Sequence, residues 1–473
     1  MKQRDILLVM SDQHSWAATG FCDNRLDTPH MERIAAEGTL YERCYCSGPI
    51  CVPSRMSFLT GRMPSQLEIF NNDTALASDV PTIAHDMGGL GYHTVLLGRM
   101  HFKGDDQNHG FQERLCGDIT SQYWGTGGKH REDFGEYRGT TNRKYCLKLA
   151  GGGVSPVMYY DKLVFEETLR FLDGWKEKKE RPPLFLVVGF YSPHFPFVSE
   201  PELFLKYQKR ISVQECEKAM KWPPLSVYGE LIQKTEAEHM RDCQAAYFGL
   251  TERLDSYVGA IYDAFKAAEE DRSWVFGYTS DHGEQLGKRG IFGKQTFYEE
   301  SVHVPLILAG TDIRVKRVEY PVSLLDLAEA LKEAGCEASG ADLKQHSWVR
   351  IQQMLTHCGK KLLAEAAVNN RYKVIHAGKE WYVYDLETDP EEKEDLTKCQ
   401  PDTAREQIAQ ACEAGCFLEE RENARACQKE EDRCRQQERL KVWGEVSQPD
   451  EWATVKIPPG ILRYPRKEIK ENV

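Results

Sequence analysis

The residues best suited to chemistry begin at Cys51-Val52-Pro53-Ser54-Arg55 and continue to Leu59-Thr60-Gly61-Arg62. Pro53 has a fixed φ and no backbone N–H, so it suits the first turn of a helix. Cys51 is therefore expected at or just before a helix N-terminus, where unpaired N–H groups and the helix dipole favour an anion. Arg55 and Arg62 add fixed positive charge nearby. Elsewhere Asp12 stands beside Gln13, and Asp281 beside His282. Arg99, His101, His194 and Lys294 are cations or proton carriers in loop-like surroundings. Taken singly, each of these is an ordinary helix cap or solvated loop residue.

The elements that precede these residues give them a common place. Short apolar runs occur at 5–10 (DILLVM), 93–98 (HTVLLG), 184–190 (LFLVVGF), 274–280 (WVFGYTS) and 304–310 (VPLILAG). Runs that are continuous, not alternating, suit strands covered on both faces by helices. Helix-compatible segments lie between them, at 29–38, 161–179 and from Gln244 to Ala268. This alternation predicts an α/β fold with a large, mostly parallel sheet flanked by helices. In such sheets, polar residues just past the C-terminal strand ends converge on the ligand crevice. Asp12, Arg99 with His101, His194, and Asp281 with His282 all occupy that position.

After about residue 365 the texture changes to alternating strand-like pieces and an acidic turn-rich end, then a charged helical tail over 402–442. The expected division is a catalytic domain over 1–365 with an insertion at about 200–243, and a small C-terminal antiparallel-sheet subdomain over 366–473. At 473 residues and 41% hydrophobic content, the chain can bury a sizeable core. Its net charge of -12 argues against nucleic acid and anionic membranes as partners. The run Ile6–Met10 is too short for a signal-peptide core, and no stretch is long and apolar enough to span a bilayer. The expected location is cytoplasmic, and the fifteen cysteines are expected to be reduced structural thiols apart from Cys51.

The string C-V-P-S-R-M-S-F-L-T-G-R resembles the signature of the formylglycine-dependent, Cys-type sulfatases, C-x-P-S-R followed by L-T-G-R. The resemblance implies the alkaline-phosphatase-like fold. It also implies oxidation of Cys51 to formylglycine by a maturation enzyme. The hydrated aldehyde offers two hydroxyls on one carbon, one to attack sulfur and one to expel sulfate afterwards. By the same resemblance Asp12, Gln13, Asp281 and His282 are the metal site, where a divalent cation activates the hydroxyl. Many family members have Asp at the position of Gln13 and Asn at that of His282. Calcium is the first expectation, and the imidazole leaves room for manganese. The segments holding Arg99 with His101, His194 and Lys294 resemble the family's G-K-x-H, P-H-x-P-F and G-K-x-x-x-Y-E in order and spacing. His101 would then deprotonate the second hydroxyl, while His194 and Lys294 bind the sulfate and protonate the leaving oxygen. Arg99 replaces the usual Lys; it can bind sulfate as a fork but cannot act as an acid near pH 7. Arg55 completes the cationic cluster around the transition state.

The expected substrate is a small sulfated saccharide derived from glycosaminoglycan or mucin, held by loops over 105–150, the insertion and the C-terminal segment. Tyr123, Trp124, His130 and Arg131 lie in the first of these. Two other readings remain. A phosphonate monoester or phosphodiester hydrolase shares the fold and the formylglycine, and some such relatives have Gln and His in the metal site. A non-catalytic binder of sulfated glycans would be expected to have lost Cys51, Asp12 or Asp281, all of which are present. The charged tail could also pack against a second subunit in a homo-oligomer.

Overall fold

The computed structural model describes residues 3–119, 150–178, 180–269, 272–336 and 341–442. The loop residues Tyr123, Trp124, His130 and Arg131 lie outside these. The main sheet consists of β1 (Asp5–Asp12), β2 (Gly38–Tyr45), β3 (His93–Gly98), β4 (Glu113–Cys116) and β5 (Leu184–Pro193), then β6 (Trp274–Ser280), β7 (His303–Gly310), β8 (Lys316–Val318) and β9 (Val322–Ser323). The spatial order is β8-β2-β7-β6-β1-β5-β3-β4, with β9 beside β2. Every pairing is parallel except those of β7, which runs antiparallel to β2 and β6.

The apolar runs are continuous because each strand feeds two cores. On β1, Ile6, Leu8 and Met10 point into one core while Leu7 and Val9 point into the other. Phe185 and Val187 divide in the same way from Leu184, Leu186 and Val188 on β5. This is the period-two geometry of a strand with helices on both faces. One face is covered by the helices Pro29–Ala36, Pro156–Lys176 and Ala237–Ala268. The other is covered by Cys51–Thr60, Ile83–Gly89 and Leu327–Cys336. None of the helices among the described residues is long and apolar enough to cross a membrane.

A second, antiparallel sheet follows: β10 (Val349–His357), β11 (Lys360–Val368), β12 (Tyr372–Ala377) and β13 (Glu380–Asp385), paired in chain order. The boundary expected near residue 365 thus falls inside β11. Strand β10 carries Arg350, Gln352 and Gln353 among its apolar residues, which hides it from a search for apolar runs. One face of this sheet, with Ile351, Ala364, Ala366 and Ile375, joins the main core. Its other face packs Val374 and Val383 against Ala404 and Ala411 of the helix Pro401–Glu413. Two polar links tie the sheets together: Gln352 N donates to Ser47 O at 2.9 Å, and buried Lys373 pairs with Glu299 and Glu392 at 2.7 Å each.

The segment 200–243 contains the helices Pro201–Gln208 and Val213–Met220. It builds a satellite core with Tyr207, Ile211 and Cys216 against Tyr247 and Phe248 of the long helix. No disulfide occurs among the described residues, whose cysteines are all free.

Candidate active site

Four adjacent parallel strands, in the order β6-β1-β5-β3, end side by side. Asp12 is the last residue of β1, Asp281 follows β6 directly, His194 follows β5, and Arg99 follows β3. Neighbouring strands lie about 4.8 Å apart, so these ends bring side chains distant in sequence into one crevice. Two glycines permit the approach of β3 and β5. A Cβ on Gly189 would sit 1.8 Å from Arg99 O, and Gly98, at φ +83°, would place one 2.3 Å from Gly189 O.

Cys51 opens the helix Cys51–Thr60, which is buried from Cys51 through Leu59. The helix points its N-terminus into the crevice, and Val52 N donates to Asn72 Oδ1 at 2.9 Å. Cys51 Sγ lies 3.7 Å from Asp12 Oδ1, 3.2 Å from His282 Nε2 and 3.4 Å from Lys294 Nζ. Burial, reinforced by Asp12, pushes the Cys51 thiol above its ordinary pKa. Unmodified Cys51 is therefore a protonated thiol at neutral pH and a weak nucleophile.

Arg55 lies one helical turn further on and is fully buried. Its Nε donates to Asp281 Oδ2 at 2.8 Å and its Nη2 to Asp12 Oδ2 at 3.2 Å. Burial alone would raise the pKa of Asp12, but the charges of Arg99, Arg55 and Lys294 hold it well below the usual carboxylate range. Asp12 therefore faces the crevice ionised. Arg62, by contrast, is exposed. The helix spans about 15 Å from Cys51 to its end, which carries Arg62 away from the site. The charge expected of it near Cys51 is not delivered there.

Each remaining donor is aimed by a neighbour. The Nδ1 of His282 contacts Gly283 O at 3.1 Å, so it carries the proton and Nε2 presents its lone pair towards Cys51 and Asp12. Burial keeps His282 neutral, with its pKa lowered to about 4. Gln13 sits at φ +69°. Its Nε2 donates to Glu284 Oε2, leaving Oε1 turned inward to accept from Lys294 Nζ. One ligand atom each from Asp12, Cys51, Asp281 and His282 lies within 4.8 Å of the others. Two carboxylates, one neutral imidazole and an amide oxygen form a donor set that suits a divalent cation. The carbonyl behind His282 is the outer support such a ligand uses.

The proton carriers depart from expectation. Arg99 donates through Nε to Asp12 Oδ2, through Nη1 to Asp118 Oδ1 at 3.0 Å and through Nη2 to His101 Nδ1 at 2.8 Å. Its guanidinium also lies 4.3 Å over the Tyr191 ring. These contacts anchor the guanidinium on Asp12, Asp118 and His101. Because a guanidinium only donates, His101 Nδ1 is an acceptor and its ring proton sits on Nε2. Burial and the charges of Arg99 and Lys103 hold His101 neutral. An imidazole in this state donates from Nε2, and the proton abstraction expected of His101 would require losing Arg99. His194 has the opposite tautomer: Nδ1 donates to Phe195 O at 2.7 Å, and Nε2 faces Asp12 Oδ1 at 4.0 Å with its lone pair open.

Three residues here were not singled out from sequence. Asp118 binds Arg99 through one oxygen and His101 N through the other, at 2.9 Å. Lys103 is buried, and its pKa is lowered by that burial against the pull of Asp73 and Asp118. Glu284 holds Gln13. For Glu284, two residues past His282, and Lys103, two residues past His101, sequence proximity offered a signal; for Asp118 it did not.

Comparison with known proteins follows this geometry. The Sulfatase family model matches residues 4–334. Choline-sulfatase of Rhizobium meliloti (strain 1021) is 30% identical over 438 residues, covering 83% of this chain and 82% of that protein. The crystal structure of a phosphonate monoester hydrolase of Agrobacterium radiobacter superposes with a TM-score of 0.68 at 19% identity, covering 87% of this chain and 95% of that one. A structure in complex with its substrate D-glucosamine-2-N,6-O-disulfate superposes with a TM-score of 0.64 at 18% identity, covering 86% and 96%. At such identities the two structural likenesses speak to the fold.

Proposed function

Since the chain belongs to the sulfatase family and is a sulfuric ester hydrolase of alkaline-phosphatase-like fold, we propose that it cleaves a small sulfated molecule, by formylglycine at position 51 and a divalent cation. The observation that carries this reading is the convergence of Asp12, Asp281, His282 and Cys51 at one buried helix start.

Asp12, Gln13, Asp281 and His282 would hold the cation, calcium in the first instance and manganese in the second. When bound, it supplies charge stabilisation and lowers the pKa of a hydroxyl at position 51. The hydrated aldehyde supplies the attacking hydroxyl and a second one whose deprotonation expels sulfate. The remaining steps belong to the chain's own side chains. Arg55 pairs with both metal carboxylates. Lys294, 3.4 Å from Cys51 Sγ, meets the sulfate and delivers a proton to the leaving oxygen. His194 Nε2 carries the open lone pair and accepts a proton, while His101 donates from Nε2 to a sulfate oxygen. Arg99 orients Asp12 and His101. Maturation requires a formylglycine-generating enzyme.

For the leaving group we favour a small saccharide. Support comes from the disulfated glucosamine in the structural neighbour. The choline-sulfatase relative makes a small quaternary-ammonium alcohol the other candidate. A phosphonate monoester or phosphate diester carries the single negative charge of a sulfate monoester, and Gln13 and His282 supply no extra charge to separate them.

The test compares matured protein with Cys51→Ala on choline sulfate, sulfated mono- and disaccharides, an aryl sulfate, an aryl phosphonate monoester and a phosphate diester. Sulfate release that disappears in Cys51→Ala supports the reading, and the best substrate names the leaving group. Phosphorus esters turned over faster by orders of magnitude would overturn it. Silence on every ester, with residue 51 modified and cation bound, would leave a sulfated-glycan binder.

A further inference from the structure

An amide is an ambiguous metal ligand, because its oxygen and nitrogen occupy nearly the same space and only the oxygen can face a cation. Gln13 therefore needs something to choose its orientation. In this chain Gln13 Nε2 donates to Glu284 Oε2, and Gln13 Oε1 accepts from Lys294 Nζ. Glu284 is 1% exposed. Its second oxygen, Oε1, accepts from Leu286 N at 2.9 Å and from Gly293 N at 2.5 Å. Both of those N–H groups belong to the loop that carries Lys294. An ionised carboxylate only accepts, so it imposes one polarity on everything around it. Turning the Gln13 amide over would set its oxygen against Glu284 and its NH2 against the Lys294 ammonium, which is unfavourable on both sides. The backbone of Gln13 is pinned as well, with N donating to Asp281 Oδ1 at 3.0 Å and O accepting from Tyr247 Oη at 2.5 Å.

We propose that Glu284 is a positioning residue which locks the Gln13 amide oxygen towards the cation site and couples it to the loop bearing Lys294. This rests on the metal-assisted reading above. It also accounts for an amide at position 13, since a carboxylate there would face the carboxylate of Glu284 across a buried contact.

The decisive experiment is a double-mutant cycle read by calcium and manganese affinity, using calorimetry on the full chain. Glu284→Gln leaves two NH2 groups facing each other, or turns one against a backbone N–H. It should weaken cation binding by about tenfold or more, as loss of an outer support does. Gln13→Glu opposes two carboxylates and should show a similar loss. The double variant Gln13→Glu/Glu284→Gln restores the contact between the two side chains with its direction reversed, leaves Lys294 and the N–H groups of Leu286 and Gly293 each donating to an oxygen, and keeps the net charge. It should recover affinity to within about threefold of the wild type, as expected when the paired residues couple directly. Glu284→Gln binding as well as the wild type would overturn the proposal, and so would a double variant as weak as the two losses combined. Should a single variant fail to fold, the affinity of the double variant decides in the same way. Sulfate release is measured separately. Its failure with cation binding intact would count against the proposed function and not against Glu284, whereas a wild type that binds neither cation would overturn both.

Discussion

Arg55 is the residue whose removal tests the electrostatics of this site most directly. It stands 2.8 Å from Asp281 Oδ2 and 3.2 Å from Asp12 Oδ2, and all three side chains are shielded from solvent. At an effective dielectric constant of about 20, each contact corresponds to roughly 5–6 kcal/mol of Coulomb attraction, most of it offset by the desolvation of the ions. Deletion does not return that desolvation for the carboxylates left behind. Arg99 still contacts Asp12, so Asp281 suffers most in Arg55→Met. Breaking one partner out of a buried pair costs about 3–5 kcal/mol. We expect a destabilisation of that size in urea at pH 7 with chelator present, from the first unfolding transition. A divalent cation can replace the missing charge, so calcium should stabilise the variant more than the wild type. At a hundredfold excess over Kd, ligand binding to the folded state contributes about 2.7 kcal/mol. The sign with pH is also fixed. Asp12 has a depressed pKa, so its contribution is present above the ordinary carboxylate range and is lost as pH falls through the folded value. Arg55→Met should lose it at higher pH. If the variant unfolds within about 1 kcal/mol of the wild type without metal, Arg55 is not the counter-charge of the pair.

Three further outcomes follow from the geometry. His14 and His282 have pKa values lowered to about 4 by burial, and His101 and His194 are lowered as well. Below about pH 6.5 the unfolded chain takes up protons that the folded one refuses, so stability should fall towards pH 4; His14→Gln should reduce the slope by about 1.4 kcal/mol per pH unit, measured by urea unfolding across that range. Arg99→Lys has one nitrogen for the three partners Asp12, Asp118 and His101; the lost charge-assisted hydrogen bonds should lower kcat by about ten- to a hundredfold and change its pH profile, because the His101 tautomer is no longer fixed. Gly189→Ala would press a Cβ to 1.8 Å from Arg99 O; it should cost about 3 kcal/mol or more, seen as a lowered Tm, and should weaken cation binding by moving Arg99 off Asp12.

How far the site could be read from sequence depended on whether a residue's role is written in its own neighbourhood. Strands β1, β3, β5 and β6 were legible because burial on both faces makes their whole length apolar, and a polar residue just beyond such a run sits at the crevice whatever the rest of the chain does. Strand β7 was legible as a strand, but its direction was not, since an apolar run looks the same in a parallel or antiparallel partner. Strand β2 was missed because Glu42 and Arg43 interrupt it, at a place where the register with β7 also shifts.

The same distinction separates Cys51 from the residues around it. A helix start with Pro53 two residues on is a local feature, so its position followed from the chain alone. The tautomers of His101 and His194 are not local: they are set by Arg99 Nη2 in one case and by Phe195 O in the other. Two histidines that look alike in sequence are thereby given opposite proton-transfer capacities. Gln13 makes the point most sharply. Read alone, an amide where a carboxylate is usual looks like a weakened metal site. Beside Glu284 it becomes an oxygen donor with a fixed orientation, backed by negative charge at one remove. The two arrangements differ in where the charge sits and which atom meets the cation, and a metal affinity that depends on the pair of residues together is the property that tells them apart.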